Sequence, residues 1–139
     1  ELNFPNGMVI TPDRSTLIVA ETFAHRLTAF DIRAGELVNR RVFATLGDYA
    51  PDGICLDSAG AVWVSAFVGD AYLRVEQGGK ITHQVPTTGR RAVACNLGGA
   101  DGRTLFMITG LRQDAAVGPI SSSVWSVMAK IASGAPRAP

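Results

Sequence analysis

The sequence predicts an all-β fold, a β-propeller of about three four-stranded blades. Three observations carry that expectation. The element Pro5-Asn6-Gly7 returns as Pro51-Asp52-Gly53, 46 residues later, and a period of roughly 40–50 residues made of short strands marks propeller blades. Each copy leads into an apolar strand, a tight polar turn and a second apolar strand. No stretch holds the i, i+3, i+4, i+7 spacing of an amphipathic helix long enough to compete.

The first unit runs Gly7-Met8-Val9-Ile10-Thr11, a turn at Pro12-Asp13-Arg14-Ser15, then Thr16-Leu17-Ile18-Val19-Ala20. Leu27, Ala29, Phe30 and Ile32 pattern a third strand, and a fourth is expected from Leu37 to Leu46. The second unit repeats the plan: Ile54-Cys55-Leu56, the Asx-type turn Asp57-Ser58-Ala59-Gly60, then Ala61 to Ala66. Tyr72 to Val75 is its third strand, and Lys80 to Pro86 alternates as its fourth. The third unit holds Ala92 to Leu97, a turn over 98–103, and Thr104 to Thr109, followed by a strand-like Ser122 to Met128. Val19, Val64 and Met107 occupy matching positions at spacings of 45 and 43. Asp and Gly punctuate the first turns because they accept tight backbone angles. Trp63 and Trp125 fall on strands and are expected to pack between blades. Blade boundaries fall at about 5–48, 49–90 and 91–132, with a Pro-rich, frayed tail at 133–139.

Composition narrows the function. Apolar residues make up 47% and charged residues 18%, which fits a buried core rather than disorder. Thirteen Lys and Arg against twelve Asp and Glu give a net charge of +1. The basic residues form pairs, Arg40-Arg41 and Arg90-Arg91, and no stripe, so nucleic acid is not the expected partner. No apolar run is long enough to span a membrane, and Glu1-Leu2-Asn3-Phe4 does not read as a signal peptide. The two cysteines, Cys55 and Cys95, sit in apolar strand patterns and read as buried reduced thiols rather than as a bridge or a nucleophile. A cytoplasmic location follows. The chain opens almost directly on a repeat motif, without an initiator Met, and reads as part of a longer polypeptide. Three blades are fewer than the four to eight of a closed propeller. An open arc is expected to expose an apolar face at each end, and so to self-associate or to meet a missing propeller half.

The recurrent element supplies the candidate site. Taken singly, Pro-Asn-Gly and Pro-Asp-Gly are common turn sequences, since Pro presets φ and Gly accepts φ > 0. Recurring at the blade period, just before the apolar strand, they direct Asn6 and Asp52 towards one shared axis. A carboxylate and an amide carbonyl there suit a hard divalent cation, with Ca²⁺ the first choice and Zn²⁺, Mn²⁺ or Mg²⁺ also able to accept oxygen ligands. Such a cation polarises a carbonyl and lowers the pKa of a nearby water, whose proton Asp52 would accept. Glu21 reads as solvated or turn-capping rather than as a ligand. His25 is the candidate substrate contact at the channel mouth. His83 and the pair Arg90-Arg91 read as surface residues. Matching Leu56 with Leu97 sets Val93, not Asn96, opposite Asp52, so the third blade presents an apolar wall there.

Together, Pro5-Asn6-Gly7, Val19-Ala20-Glu21-Thr22 with His25-Arg26-Leu27, Ala29-Phe30-Asp31, Pro51 to Asp57, Val62-Trp63-Val64, Ala94 to Gly99 and Leu105-Phe106-Met107 resemble the SMP-30/gluconolactonase family. The likeness runs from about residue 3 to about residue 130. It implies a six-bladed propeller with a divalent metal in its central channel, a lactone as substrate and hydrolysis as the reaction, this chain matching the C-terminal half. By the same resemblance Asn6 matches a metal-binding Asn, and Asp52 matches a metal-binding Asp that serves as catalytic base. A further metal-binding Glu belongs to the family's first blade, ahead of this chain, as do substrate-contacting Arg and Asn residues of the earlier blades. The Pro-Asp-Gly-Ile-Cys-Leu-Asp stretch favours the lactonase branch over strictosidine-synthase-like or paraoxonase-like propellers. A non-catalytic propeller used for protein binding, or an inactive piece of the enzyme, is the alternative.

Overall fold

In the computed structural model, residues 1–111 are described in full and 122–126 by their backbone. The expected tail at 133–139 and the Trp125 side chain lie outside the described residues. The first sheet is a four-stranded antiparallel meander of β1 (Pro5–Ile10), β2 (Thr16–Glu21), β3 (Arg26–Arg33) and β4 (Glu36–Thr45), in the order β1-β2-β3-β4. A single 3₁₀ turn, Thr22–Ala24, links β2 to β3. The second sheet repeats this with β5 (Ala50–Leu56), β6 (Val62–Val68), β7 (Ala71–Val75) and β8 (Ile81–Pro86). The third pairs β9 (Arg90–Gly98), β10 (Thr104–Leu111) and β11 (Ser122–Ser126) in the order β9-β10-β11. Consecutive four-stranded meanders stacked face to face, each entered at its first strand, are the blades of a β-propeller.

The second sheet shows why its strands read as unbroken apolar runs. Val62, Val64 and Ala66 on β6, with Leu73 and Val75 on β7, join a core shared with Ile18, Leu27 and Phe43 of the first sheet. The alternate residues, Trp63 and Tyr72, pack with Cys55 against Leu97, Leu105 and Met107 of the third sheet. A sheet buried on both faces loses the polar half of its alternation. The flanking sheets each leave one face open: Met8 and Ile10 are 65% and 54% exposed on β1, and Phe106 and Ile108 are each 39% exposed on β10.

One polar group is built deep into this stack. Asp57, 1% exposed, directly follows β5. Its Oδ1 accepts the backbone N–H of Ala59 at 2.9 Å and of Ala61 at 3.0 Å, closing the Asx turn that the sequence anticipates. Gly60 completes that turn at φ 80°, where a side chain is strained. Oδ2 accepts from Arg74 Nε at 2.7 Å, so the turn is also an ion pair tying β5 to β7. Removing one member of a buried pair strands the other. Asp57→Ala should therefore lower the unfolding free energy in urea by about 3 kcal/mol, since it leaves a buried guanidinium and two N–H groups without their acceptor. A loss under about 0.5 kcal/mol, the size of an ordinary surface change, would contradict this account.

Candidate functional site

The two copies of the recurrent element are not turns. Pro5-Asn6-Gly7 lies within β1 and Pro51-Asp52-Gly53 within β5, and neither Gly7 nor Gly53 has a positive φ. What they share is an irregular ladder. Pro5 pairs with Glu21 and Met8 with Val19, while Pro51 pairs with Ala66 and Ile54 with Val64. In each case one extra residue on the inner strand opposes its neighbour, a β-bulge that bends the strand and redirects its side chains. β9 has a similar shift, between the pairs Ala94–Ile108 and Ala92–Thr109.

The glycines serve packing. A Cβ on Gly7 would lie 2.6 Å from the Asp52 carbonyl oxygen and 2.7 Å from the Ile54 nitrogen. One on Gly53 would lie 2.8 Å from Ala94 Cα and 2.9 Å from the Val93 oxygen. The inner strands of successive blades thus touch backbone to backbone at the level of the site. That contact brings the Asn6 side chain beside the Asp52 carboxylate, whose charged form it favours. Burial raises the Asp52 pKa above its usual value and outweighs the opposing effect of Asn6. Among the described residues no cation pairs with this carboxylate. From the third blade, Val93 and Ala94 face Gly53, while Asn96 is exposed and its Oδ1 accepts the Leu97 N–H at 3.0 Å.

Glu21 departs from its expected solvated role. It is wholly buried and gathers Arg26 Nε at 2.8 Å, Arg40 Nη2 at 3.2 Å, the Thr28 hydroxyl and the Asn3 N–H at 2.7 Å. Burial alone would raise its pKa, but the hydrogen bonds from Arg26, Thr28 and Asn3 prevail and hold it at about 2, below its ordinary 4.5. Next in sequence, Thr22 donates its hydroxyl to the Pro51 carbonyl at 2.7 Å, and its N–H to the Phe4 carbonyl at 3.1 Å. Glu21 and Thr22 therefore fix the chain just before Asn6 and just before Asp52. His25 follows the 3₁₀ turn in the left-handed region at φ 50°. Its Nδ1 meets the Gly47 carbonyl at 3.1 Å. Because a carbonyl only accepts, the neutral ring carries its proton on Nδ1 and leaves Nε2 as an acceptor. Phe4 and Phe23, both exposed, stack at 4.5 Å beside these segments.

The chain matches the SMP-30/Gluconolactonase/LRE-like region over residues 1–110. It belongs to that family. Regucalcin of Danio rerio is 31% identical over 112 residues, covering 77% of this chain and 38% of that protein. A solved gluconolactonase of Xanthomonas campestris is 32% identical at a TM-score of 0.67, covering 91% of this chain and 39% of that one. A regucalcin of Agrobacterium tumefaciens, described as a calcium-binding protein, shares the fold at a TM-score of 0.68 and 19% identity, covering 88% of this chain and 45% of that one. The chain therefore spans about two-fifths of the length of the relatives it matches.

Glu21 and Thr22, which close the Val19-Ala20-Glu21-Thr22 element, are the inter-strand anchors that local sequence pattern did not reveal. A charged residue directly after an apolar strand, with arginines five and nineteen residues on, was the available signal. Arg90 and Arg91 are also more engaged than a solvated pair: Arg90 Nε donates to Thr109 Oγ1 at 2.8 Å, and Arg91 lies 5.0 Å over the Phe67 ring. His83 is partly buried and stands 6.0 Å from the Trp63 ring.

Two outcomes test this geometry. Gly53→Ala forces a methyl against backbone atoms that cannot swing aside, so it should cost about 1–3 kcal/mol in chemical denaturation; an unchanged midpoint would refute the close contact. Glu21 has a folded pKa below its unfolded value, so its contribution is complete above pH 4.5 and drains away as pH falls towards 2. Wild type should lose stability across that window more steeply than Glu21→Gln, a difference readable from urea midpoints at each pH.

Proposed function

We propose that this chain carries part of the active site of a metal-dependent lactone hydrolase of gluconolactonase type, acting on a sugar-type lactone. The observation that carries the reading is the meeting of Asn6 and Asp52, from equivalent bulges of successive blades, at a half-buried carboxylate with no cationic partner among the described residues. Their donors suit a hard divalent cation: one carboxylate, one amide carbonyl, and a desolvated negative charge that a cation would stabilise. Ca²⁺ is the leading candidate, and Zn²⁺, Mn²⁺ and Mg²⁺ accept the same oxygen donors. When bound, the ion would polarise the lactone carbonyl and acidify a nearby water.

The remaining chemistry belongs to the protein. Asp52 acts as general base, taking a proton from the attacking water on a carboxylate oxygen. The water oxygen bonds to the carbonyl carbon, the ring acyl C–O bond breaks, and Asp52 returns its proton to the departing ring oxygen, which leaves as a hydroxyl; the product is a hydroxy acid with no covalent enzyme intermediate. His25, with Nδ1 committed to Gly47, offers Nε2 to a substrate hydroxyl. Glu21 and Thr22 act as positioning residues, holding the strands that present Asn6 and Asp52.

Among the described residues no three His, Cys, Asp or Glu side chains cluster to hold a metal. In this reading another propeller segment adds a carboxylate to complete the site, and a non-catalytic propeller used for protein binding, or an inactive piece of the enzyme, is the alternative. The cytoplasm is the compartment we assign. Among the described residues no helix is long and apolar enough to cross a membrane, and the small-molecule lactone is the only partner the reading needs beyond that further segment.

Calorimetry with CaCl₂ on this chain and on a protein restoring the earlier blades tests the proposal, with lactone hydrolysis assayed on the restored protein. Asp52→Ala should abolish binding, and Asn6→Ala should weaken it roughly tenfold or more by removing a neutral ligand. Binding and hydrolysis unchanged in Asp52→Ala would overturn it.

A further inference from the structure

Cys55 and Cys95, forty residues apart in sequence, stand on the inner strands of the second and third blades with their sulfurs 3.8 Å apart. They are the protein's two cysteines, and both are free thiols. Cys55 is buried in the seam between the blades and Cys95 is partly exposed. The Cys95 sulfur also lies 3.9 Å from the carbonyl of Gly53, the residue directly after Asp52, and 3.6 Å from that of Trp63. Two apolar thiols packed by chance do not need to face each other across two blades.

We propose that Cys55 and Cys95 form an inter-blade disulfide under mild oxidation by a peroxide, a reversible modification site that clamps β5 to β9 beside Asp52. A disulfide bond is about 2.05 Å long, so each sulfur need swing inward only a little from where the two now sit. Backbone contact of the same strands at Gly53 and Ala94 already holds the seam closed.

The surroundings divide the chemistry between the two sulfurs. Cys55 donates its S–H to Cys95. That hydrogen bond holds the Cys95 pKa below the usual thiol value against the effect of burial, and raises that of Cys55. Cys95 is thus the nucleophile and Cys55 the resolving thiol, the arrangement of redox-sensitive pairs. Cys95 thiolate attacks a peroxide oxygen; an S–O bond forms, the O–O bond breaks, and the departing hydroxide takes a proton to become water. Cys55 sulfur then attacks the Cys95 sulfenic sulfur. The S–S bond forms, the S–O bond breaks, and hydroxide leaves with the Cys55 proton as a second water. Two thiols lose two electrons and two protons, and one peroxide becomes two waters.

The test treats the native wild-type chain with hydrogen peroxide, then denatures it, counts thiols and measures intact mass. The expected product is a monomer lighter by two hydrogens, with no titratable thiol and one peptide pair joined through Cys55 and Cys95. Dithiothreitol should restore both thiols. Because the bridge closes a long loop, the oxidised protein should melt above the reduced one. Cys95→Ala should leave Cys55 titratable under the same treatment, and the wild-type readouts stand even if that variant folds poorly. Two thiols still free, oxygen atoms added to Cys95 without a bridge, disulfide-linked dimers, or an oxidised protein that melts no higher than the reduced one would each overturn the proposal.

Discussion

The structure depends on how closely the inner strands of neighbouring blades can approach. At Gly7 and Gly53 the separation leaves no room for one methyl group, because the facing atoms are backbone. Each glycine follows the residue whose side chain forms the candidate site, so the same contact that sets the blade spacing also sets where Asn6 and Asp52 meet. The bulges complete the arrangement: an extra residue on β1 and on β5 bends each inner strand where a regular ladder would send alternate side chains into the blade faces. Spacing and aim are thus fixed by backbone, and the chemistry is left to two side chains.

Polar anchors hold that backbone in register. Glu21 takes four donors at once, two of them guanidinium groups, and one donor is the N–H of Asn3, three residues before Asn6. Thr22 reaches from the first blade to the carbonyl of Pro51. Asp57 does similar work at the opposite end of β5 with Arg74. A buried carboxylate is costly unless its lone pairs are filled, and here they are, so these groups specify one arrangement of the strands. Asp52 is the contrast. It is half-buried with a single neutral partner, and its pKa moves up where that of Glu21 moves down. The two carboxylates, one on β2 and one on β5, are thus held in opposite electrostatic settings.

Much of this was legible in the sequence. Period-two alternation, the Asp-rich turns and the recurrence of Pro-Asn-Gly as Pro-Asp-Gly gave the propeller fold. The Asx turn at Asp57 and the inter-blade position of Trp63 followed from local patterns. The errors fall where the answer lies in a neighbouring blade. Gly7 and Gly53 looked like turn glycines because Pro-x-Gly is usually a turn; their true requirement is the proximity of Asp52, Val93 and Ala94, which no local pattern encodes. Glu21 looked solvated because it precedes a loop, and only the folded sheet brings Arg40 and Asn3 to it. The two cysteines read as buried reduced thiols and are free in the structure; that they face each other depends on the register of β5 against β9, which a bulge in each strand resets.

Those inter-blade contacts also explain why a family defined by short, scattered motifs can hold a precise site. Each motif residue has one task inside its blade and a second at the seam with the next. Val19-Ala20 fills the core while Glu21-Thr22 secures two inner strands, and Ile54-Leu56 packs on the first blade while Cys55 faces the third. Within such a ring no blade owns the site. Side chains from successive blades converge only when the seam between them is closed, so the geometry of either reports on the packing of both blades. By that logic Asn6 and Asp52, brought together from equivalent bulges of successive blades, depend on a seam that neither blade forms alone.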